Sequence, residues 1–353
     1  MSARSDRFGP AKSLIVIRGC ILAVLLFYST GSTKTGDLNF EFSLRSTFDD
    51  NILSYSDADL DLIGDPSAPL NKYGISSKDD FIFIPEIGLI YKTRLAGHST
   101  HFGLEAAYNY YKDNDIKRYA RYGAMVRRYF RRGGYLQAKL VYLPNYYYRN
   151  SYSNAVGYSE ARFDKVIAEA KLSLSPMRKV ITNGYYEYSN KNFEPLFDER
   201  DIKAHEFKIE AIYRPGKRWK GWGSYAFETA TGAGADNPLF SRDTSYDLFT
   251  FAYGSRFYFK GLGRNSLQFA GVIYYSIVYF QTAKLTDEDR YRFGRKDDRW
   301  QLNLTIDQKI SKHLGLGLGY QRRSKSVDLP ARDLIPYLEY SSDQVYFNLN
   351  FIY

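Results

Sequence analysis

Asp343-Gln344-Val345-Tyr346-Phe347-Asn348-Leu349-Asn350-Phe351-Ile352-Tyr353 closes the chain. Every second side chain from Val345 to Tyr353 is large and apolar, and the positions between include Gln344, Asn348 and Asn350. Successive side chains of a β-strand point to opposite faces, so this stretch has an oily side and a wet side. Its length is what a tilted strand needs to cross a bilayer.

The same pattern recurs upstream. Leu38, Phe40, Phe42 and Leu44 oppose Asn39, Glu41, Ser43 and Arg45 in a strand predicted at about 37–47. Phe249, Phe251, Tyr253, Phe257 and Phe259 mark another at about 247–260. Trp300, Leu302, Leu304 and Ile306 alternate with Gln301, Asn303, Thr305 and Asp307, and Leu314, Leu316, Leu318 and Tyr320 with Gly315, Gly317 and Gly319. The pattern predicts about fourteen strands. The softest lie at about 179–189 and 220–230. Pro85 removes a ladder donor within the strand at about 80–95, an objection to that strand that a bulge would absorb.

The segments between strands alternate as well. Gly97-His98, Arg132-Gly133-Gly134, Pro176-Met177, Pro215-Gly216-Lys217, Gly261-Leu262-Gly263 and Ser311-Lys312 are short; 48–79, 145–161, 190–202, 231–246, 283–297 and 325–342 are long and polar, with only 113–118 out of pattern. Short turns at one end and long loops at the other are the asymmetry of bacterial outer-membrane barrels. Hydrocarbon offers no partner for a free strand edge, so the sheet must close, the first strand on the last. The fold class is therefore all-β: a closed antiparallel transmembrane β-barrel of about fourteen strands, with short periplasmic turns and longer extracellular loops.

Composition agrees. Aromatics make up 17% of the 353 residues, with 34 Tyr and 24 Phe, yet mean hydropathy is only −0.44. Only half the residues of a barrel strand meet lipid, which keeps the mean low. Tyrosines such as Tyr91, Tyr108, Tyr110, Tyr142, Tyr186 and Tyr188 fall near predicted strand ends, where an amphipathic ring suits the membrane interface.

Arg4, Arg7, Lys12 and Arg18 precede the apolar run Gly19–Tyr28 and the small residues Ser29-Thr30-Gly31-Ser32. Basic, apolar, then small is the order of a secretory signal peptide, so 1–32 are expected to be cleaved and 33–353 to form the barrel. Cys20, the single cysteine, sits in that leader, leaving the mature chain without a disulfide or thiolate chemistry. Losing the leader with Asp6 lowers the formal net charge from +10 to +7. The remaining basic residues are scattered rather than gathered on a helix or block, which argues against nucleic acid as a partner.

The wet faces carry both signs of charge. Arg45, Glu86, Lys92, Arg94, Glu105, Arg121, Lys139, Glu169, Lys171, Glu210, Arg256, Asp307 and Lys309 are the candidate lumen-lining residues. A dry interior would need them paired, whereas a hydrated lumen removes that demand. Fourteen strands lie between a barrel filled by side chains and an open aqueous channel. The expectation is a narrow passive or weakly selective channel for small hydrophilic solutes. The alternative is a non-conducting barrel acting in export, envelope assembly or surface interaction through its outer loops. No catalytic residue is assigned: His98, His101, His205 and His313 have no evident nucleophile partner, and no cofactor is expected. Asp57, Asp59 and Asp61 place hard oxygen ligands at alternate positions, a calcium pattern that fails the helix-loop-helix spacing because Gly64 stands two places late. A solvated acidic loop is the plainer reading, and no metal is assigned.

From its basic leader to the terminal Phe351-Ile352-Tyr353, the chain resembles Gram-negative outer-membrane β-barrel proteins of porin-like size. The resemblance implies a place in the cell outer membrane, with lipid as the surrounding partner. It also implies that Phe351 and Tyr353 are positions read by the barrel-assembly machinery, and that the barrel could form a homo-oligomer. No narrower family, and no family substrate, follows from it.

Overall fold

The computed structural model describes residues 36–353 except 67, 131–132, 154, 236–242, 262–265, 283 and 286. The predicted leader with Cys20, and parts of the connections at 132, 236–238 and 262–263, lie outside the described residues.

Fourteen antiparallel strands close into one ring: β1 (Asp37–Asp49), β2 (Asp80–Leu95), β3 (His98–Tyr111), β4 (Tyr119–Tyr129), β5 (Tyr135–Ser153), β6 (Gly157–Met177), β7 (Val180–Phe193), β8 (Ile202–Tyr213), β9 (Trp219–Gly232), β10 (Tyr246–Lys260), β11 (Ser266–Phe280), β12 (Lys296–Lys309), β13 (Leu314–Asp328) and β14 (Tyr340–Ile352). Each pairs with its sequence neighbours, and β1 closes on β14. In that seam Phe42 faces Phe351 and Leu44 faces Leu349. Reciprocal hydrogen bonds join Phe40 to Tyr353, at 3.0 and 2.9 Å.

The burial pattern is inverted relative to a water-soluble protein. Phe207 and Ile209 are each 57% exposed and Leu318 53%, whereas Asp297 is fully buried and Asp80 is 2% exposed. A continuous belt of exposed Leu, Ile, Phe and Tyr around a closed sheet has one stable surrounding, the hydrocarbon of a bilayer. The aromatic rims mark its two surfaces. On the outer half of the wall Tyr142, Tyr275 and Tyr320 each donate a hydroxyl hydrogen bond to an aspartate on the next strand: Asp164 (3.1 Å), Asp298 (2.6 Å) and Asp343 (2.5 Å). Tyr275 also packs on Trp300, ring centroids 4.4 Å apart. At the periplasmic rim Tyr213 meets Trp219 edge-on.

The turns after even-numbered strands are short. Between β2 and β3 only Ala96 and Gly97 intervene, both with positive φ (48° and 77°), the conformation of a two-residue hairpin that matches strand twist. One expectation is corrected. The stretch 145–161 is not a polar loop: β5 and β6 run on for 19 and 21 residues and form a hairpin beyond the membrane, since a tilted strand needs only about ten residues to span it. Register shifts between Leu143 and Tyr146 and between Tyr147 and Arg149 break the period-two signal there. Pro85 causes no bulge. It pairs with Leu44, and the β2–β3 register is the same on either side of it.

Candidate functional site: a charged lumen narrowed from outside

Strand parity places the lumen candidates on the face opposite the exposed apolar residues. Arg121 bridges Glu86 (2.8 Å) and Glu105 (3.1 Å), and Lys139 reaches Glu105 at 2.9 Å. These four form one network across β2–β5. Arg45 donates to Asn348 at 2.9 Å and lies over the Tyr346 ring. Lys171 lies over the Tyr135 and Tyr185 rings, and Glu210 accepts from Asn183 at 2.6 Å. Arg256 donates to Gln268 at 3.4 Å. Lys92 is in register with His101, Arg94 with Ser99, and Lys309 with Gly315, all toward the periplasmic end. Asp307 faces Gly317, leaving no room there for a side chain. Gly319 and Gly254 are covered in the same way by the rings of Tyr346 and Trp222, so glycines in the wall seat the bulky inward aromatics.

Glu169 belongs to a feature hidden in the linear sequence. Glu169 is in register with Glu187, Glu187 with Glu206, and Glu206 with Glu228. Four carboxylates thus stand in a row on β6–β9. Two inward positions further out Lys165 faces Lys191, and across the barrel Arg299 faces Lys325. Between the networks of β2–β5 and the periplasmic end of the seam lies a cavity of about 450 Å³, lined by Glu41, Glu86, Glu105, Arg127 and Lys139. Side chains do not fill the lumen at that level.

Nearer the outer end the first external segment folds inward. Ile52, Leu53, Tyr55 and Ile75 pack with Ile82 and Tyr111, which face inward from β2 and β3, and with Tyr147 of β5. Burial pushes the Tyr55 hydroxyl up to about 12. A single-turn helix, α1 (Asp57–Leu60), capped by Ser56, lies against the 3₁₀ turn Arg332–Tyr337 of the last loop. Asp59 accepts from Lys72 Nζ at 2.8 Å and from the Tyr73 hydroxyl at 2.6 Å. α1 therefore turns Asp59 into the loop's own contacts, and Asp57, Asp59 and Asp61 are not gathered around a common point. Among the described residues no group of three His, Cys, Asp or Glu is placed to hold a metal.

Lys117, in the 3₁₀ turn Asp115–Lys117, was not singled out by the sequence. It is 3% exposed and sits against the rings of Tyr111, Tyr146 and Tyr147. Burial first, then the nearby Arg149, pushes its ammonium down to about 8. Its folded-state value lies below the ordinary one, so the unfolded chain binds more protons from about pH 8 to 10.5 and stability rises with pH across that window. Lys117→Met is therefore expected to raise the unfolding midpoint at pH 7, with the gain shrinking as pH climbs through 8 toward 10.5. Denaturant titrations at pH 7 and 10 check it.

No known protein family matches the chain, and no curated protein matches it in sequence. Among solved structures it is similar to the outer-membrane channel DcaP of Acinetobacter baumannii, at 12% identity over 92% of this chain and 99% of that one, TM-score 0.47. It is also similar to the trimer form of OmpT from Vibrio cholerae, at 8% identity over 91% and 100%, TM-score 0.47. The anion-selective porin of Comamonas acidovorans aligns at 9% identity over 91% and 100%, TM-score 0.43. These likenesses are too loose to carry an argument. The closed ring, its apolar belt and its charged interior identify the chain as an outer-membrane β-barrel of channel-like build.

Proposed function

We propose that the barrel is a narrow passive or weakly selective channel for small hydrophilic solutes. The glutamate row carries this reading. Ion pairs such as Arg121 with Glu86 could simply stiffen a wall, but Glu169, Glu187, Glu206 and Glu228 face one another in register with like charge. Like charges directly opposite destabilise a sheet, and in a dry interior the cost would be prohibitive. The arrangement is sustainable in water, so the lumen is hydrated at that level.

Planar-bilayer recordings test the proposal, with single-channel steps at low voltage as the expected result. Ile75→Asp places a charge inside the apolar cluster that holds the first external segment in the mouth, and is expected to raise unitary conductance severalfold with the β-sheet spectrum unchanged. The second reading, a non-conducting barrel working through its outer loops, draws support from that same in-folded segment. Silent membranes would favour it.

Phe351 and Tyr353 are proposed to be read by the barrel-assembly machinery. Phe351→Ala is expected to lower the yield of assembled barrel in cells while refolding of the purified chain in detergent stays intact. Self-association would use the shallow lipid-facing groove at Gly184, walled by Leu172, Tyr186, Phe207, Ile209 and Tyr225. Cross-linking in mild detergent reads it out.

A further inference from the structure

Cations converge at the outer end of the lumen and are short of carboxylates. Arg299 and Lys325 are cross-strand partners facing inward from β12 and β13. From the opposite side of the ring, β5 carries Tyr148 and Arg149 at its register shifts, and β7 carries Lys191. The Tyr148 hydroxyl nevertheless lies within the electrostatic reach of Arg149, Lys191, Arg292 and Lys325, and Lys191 within that of Arg299. In the ring β5 and β7 stand across from β12 and β13, so these groups come from opposing walls at the outer end.

The carboxylates nearby are already engaged: Glu228, within reach of Lys191, accepts from the Tyr246 hydroxyl, and Asp59, within reach of Arg149, accepts from Lys72 and Tyr73. Asp297 binds Arg295 through two bonds of 2.5 and 2.9 Å and takes Arg299 at 3.2 Å. Asp49 accepts from Arg323, Ser342 and Gln344. Asp289 holds Arg292 at 3.1 Å. Arg149, Lys191 and Lys325 lie instead on aromatic faces. Arg149 is over Tyr55 (5.2 Å) and Tyr148 (4.7 Å), Lys191 over Phe163 (5.9 Å) and Lys325 over Tyr340 (5.1 Å). Among the described residues none of these three has an ion pair within 4 Å, and the Nε of Arg149 and of Arg299 has no hydrogen-bond partner. Like charges held together without an acceptor cost stability unless something neutralises them.

We propose that this constriction is a binding station for a small polyvalent anion, a solute bearing two or more carboxylate or phosphate groups. Arginine presents a planar fork that takes an oxyanion through two parallel bonds, and lysine adds a movable point charge. Arg149 and Arg299 supply the forks, Lys191 and Lys325 the point charges, and the Tyr148 hydroxyl a further donor. With cations on opposing walls, an anion with two charged ends engages both, whereas chloride meets one at a time. The glutamate row lies further in, so its repulsion confines the anion's residence to the outer station. The use of this station in transport rests on the channel reading, but the binding itself does not.

The test uses the refolded full-length barrel, with citrate and inorganic pyrophosphate as probes and potassium chloride of equal ionic strength as reference. Either probe is expected to interrupt single-channel current from the outer side and to raise the thermal midpoint above that in chloride. The probe that does so names the recognised group. Arg149→Gln and Lys325→Gln are each expected to weaken both effects about tenfold or more, as loss of a charge-assisted contact does. Lys217→Gln, in the periplasmic turn before β9, should leave them unchanged. Unaltered melting in chloride shows that the variants fold. A barrel that conducts but shows neither block nor midpoint shift overturns the station and leaves the channel standing, and full retention in the two variants overturns it too. A silent barrel whose midpoint still responds to a probe, and loses that response in the variants, keeps the station and removes the channel.

Discussion

Leu304→Arg is expected to cost about 2–4 kcal/mol, the range for a charge on the lipid face near the bilayer midplane. Leu304 lies between Gly271 on β11 and Tyr320 on β13, well inside the level set by Trp300 on the outer half of the wall. Its side chain covers the bare backbone of Gly271, so the change also uncovers a seam in the wall. Asn303→Arg, one residue away, is expected to cost much less. Asn303 faces the lumen, accepts from Gln301 at 3.2 Å and is in register with Val272 and Gln321. Equilibrium unfolding in lipid vesicles compares the two. Equal costs would mean that the faces of β12 are exchanged.

Asp80→Ala is expected to cost about 3 kcal/mol, because it strands several buried donors at once. Asp80 is 2% exposed. It accepts from the backbone N–H groups of Lys112 (3.0 Å), Asp113 (3.1 Å) and Asn114 (2.8 Å), and from Asn114 Nδ2 at 2.9 Å. Asn114 in turn accepts from the N–H of Ser76 at 2.8 Å. One carboxylate thus ties the start of β2, the β3–β4 connection and the returning first external segment together. Asp80→Asn keeps an acceptor and should lose less. Guanidinium unfolding gives the stability, and limited proteolysis within 50–79 shows whether the segment has come loose. An Ala variant as stable and as protease-resistant as the parent would remove the carboxylate from this role.

The strands could be read because lipid imposes a strict rule on every second residue. Phe347, Leu349 and Phe351 show it, and the pairing of Phe42 with Phe351 and of Phe257 with Phe269 keeps apolar residues together from strand to strand. Where lipid stops dictating, the signal stops as well. Tyr146, Tyr147 and Tyr148 lie beyond the membrane at two register shifts, so their strand read as a loop. The in-folded segment was hidden because Ile52, Leu53, Tyr55 and Ile75 are dispersed among Asp, Ser and Gly, and their partners Tyr111 and Tyr147 are remote in sequence. The glutamate row depends on inter-strand register, which leaves no period along the chain. Arg149, Lys191 and Lys325 converge only through the curvature of the ring. Residues that meet lipid declare themselves locally, whereas those that face one another across the lumen are assembled from distant strands.

The bonds between Phe40 and Tyr353 have a consequence for biogenesis. Every other pairing joins strands adjacent in the chain, and this one alone among the described residues joins the first strand to the fourteenth. Bringing such distant ends together is the slowest kind of contact a chain makes, and until it forms two strand edges stay open to any β-forming neighbour. An intermediate lacking only β14 would have nearly all of its sheet and no tolerable home in hydrocarbon. Only the complete circle leaves no backbone edge facing hydrocarbon, so the sheet is at home in the bilayer once it is closed and not before.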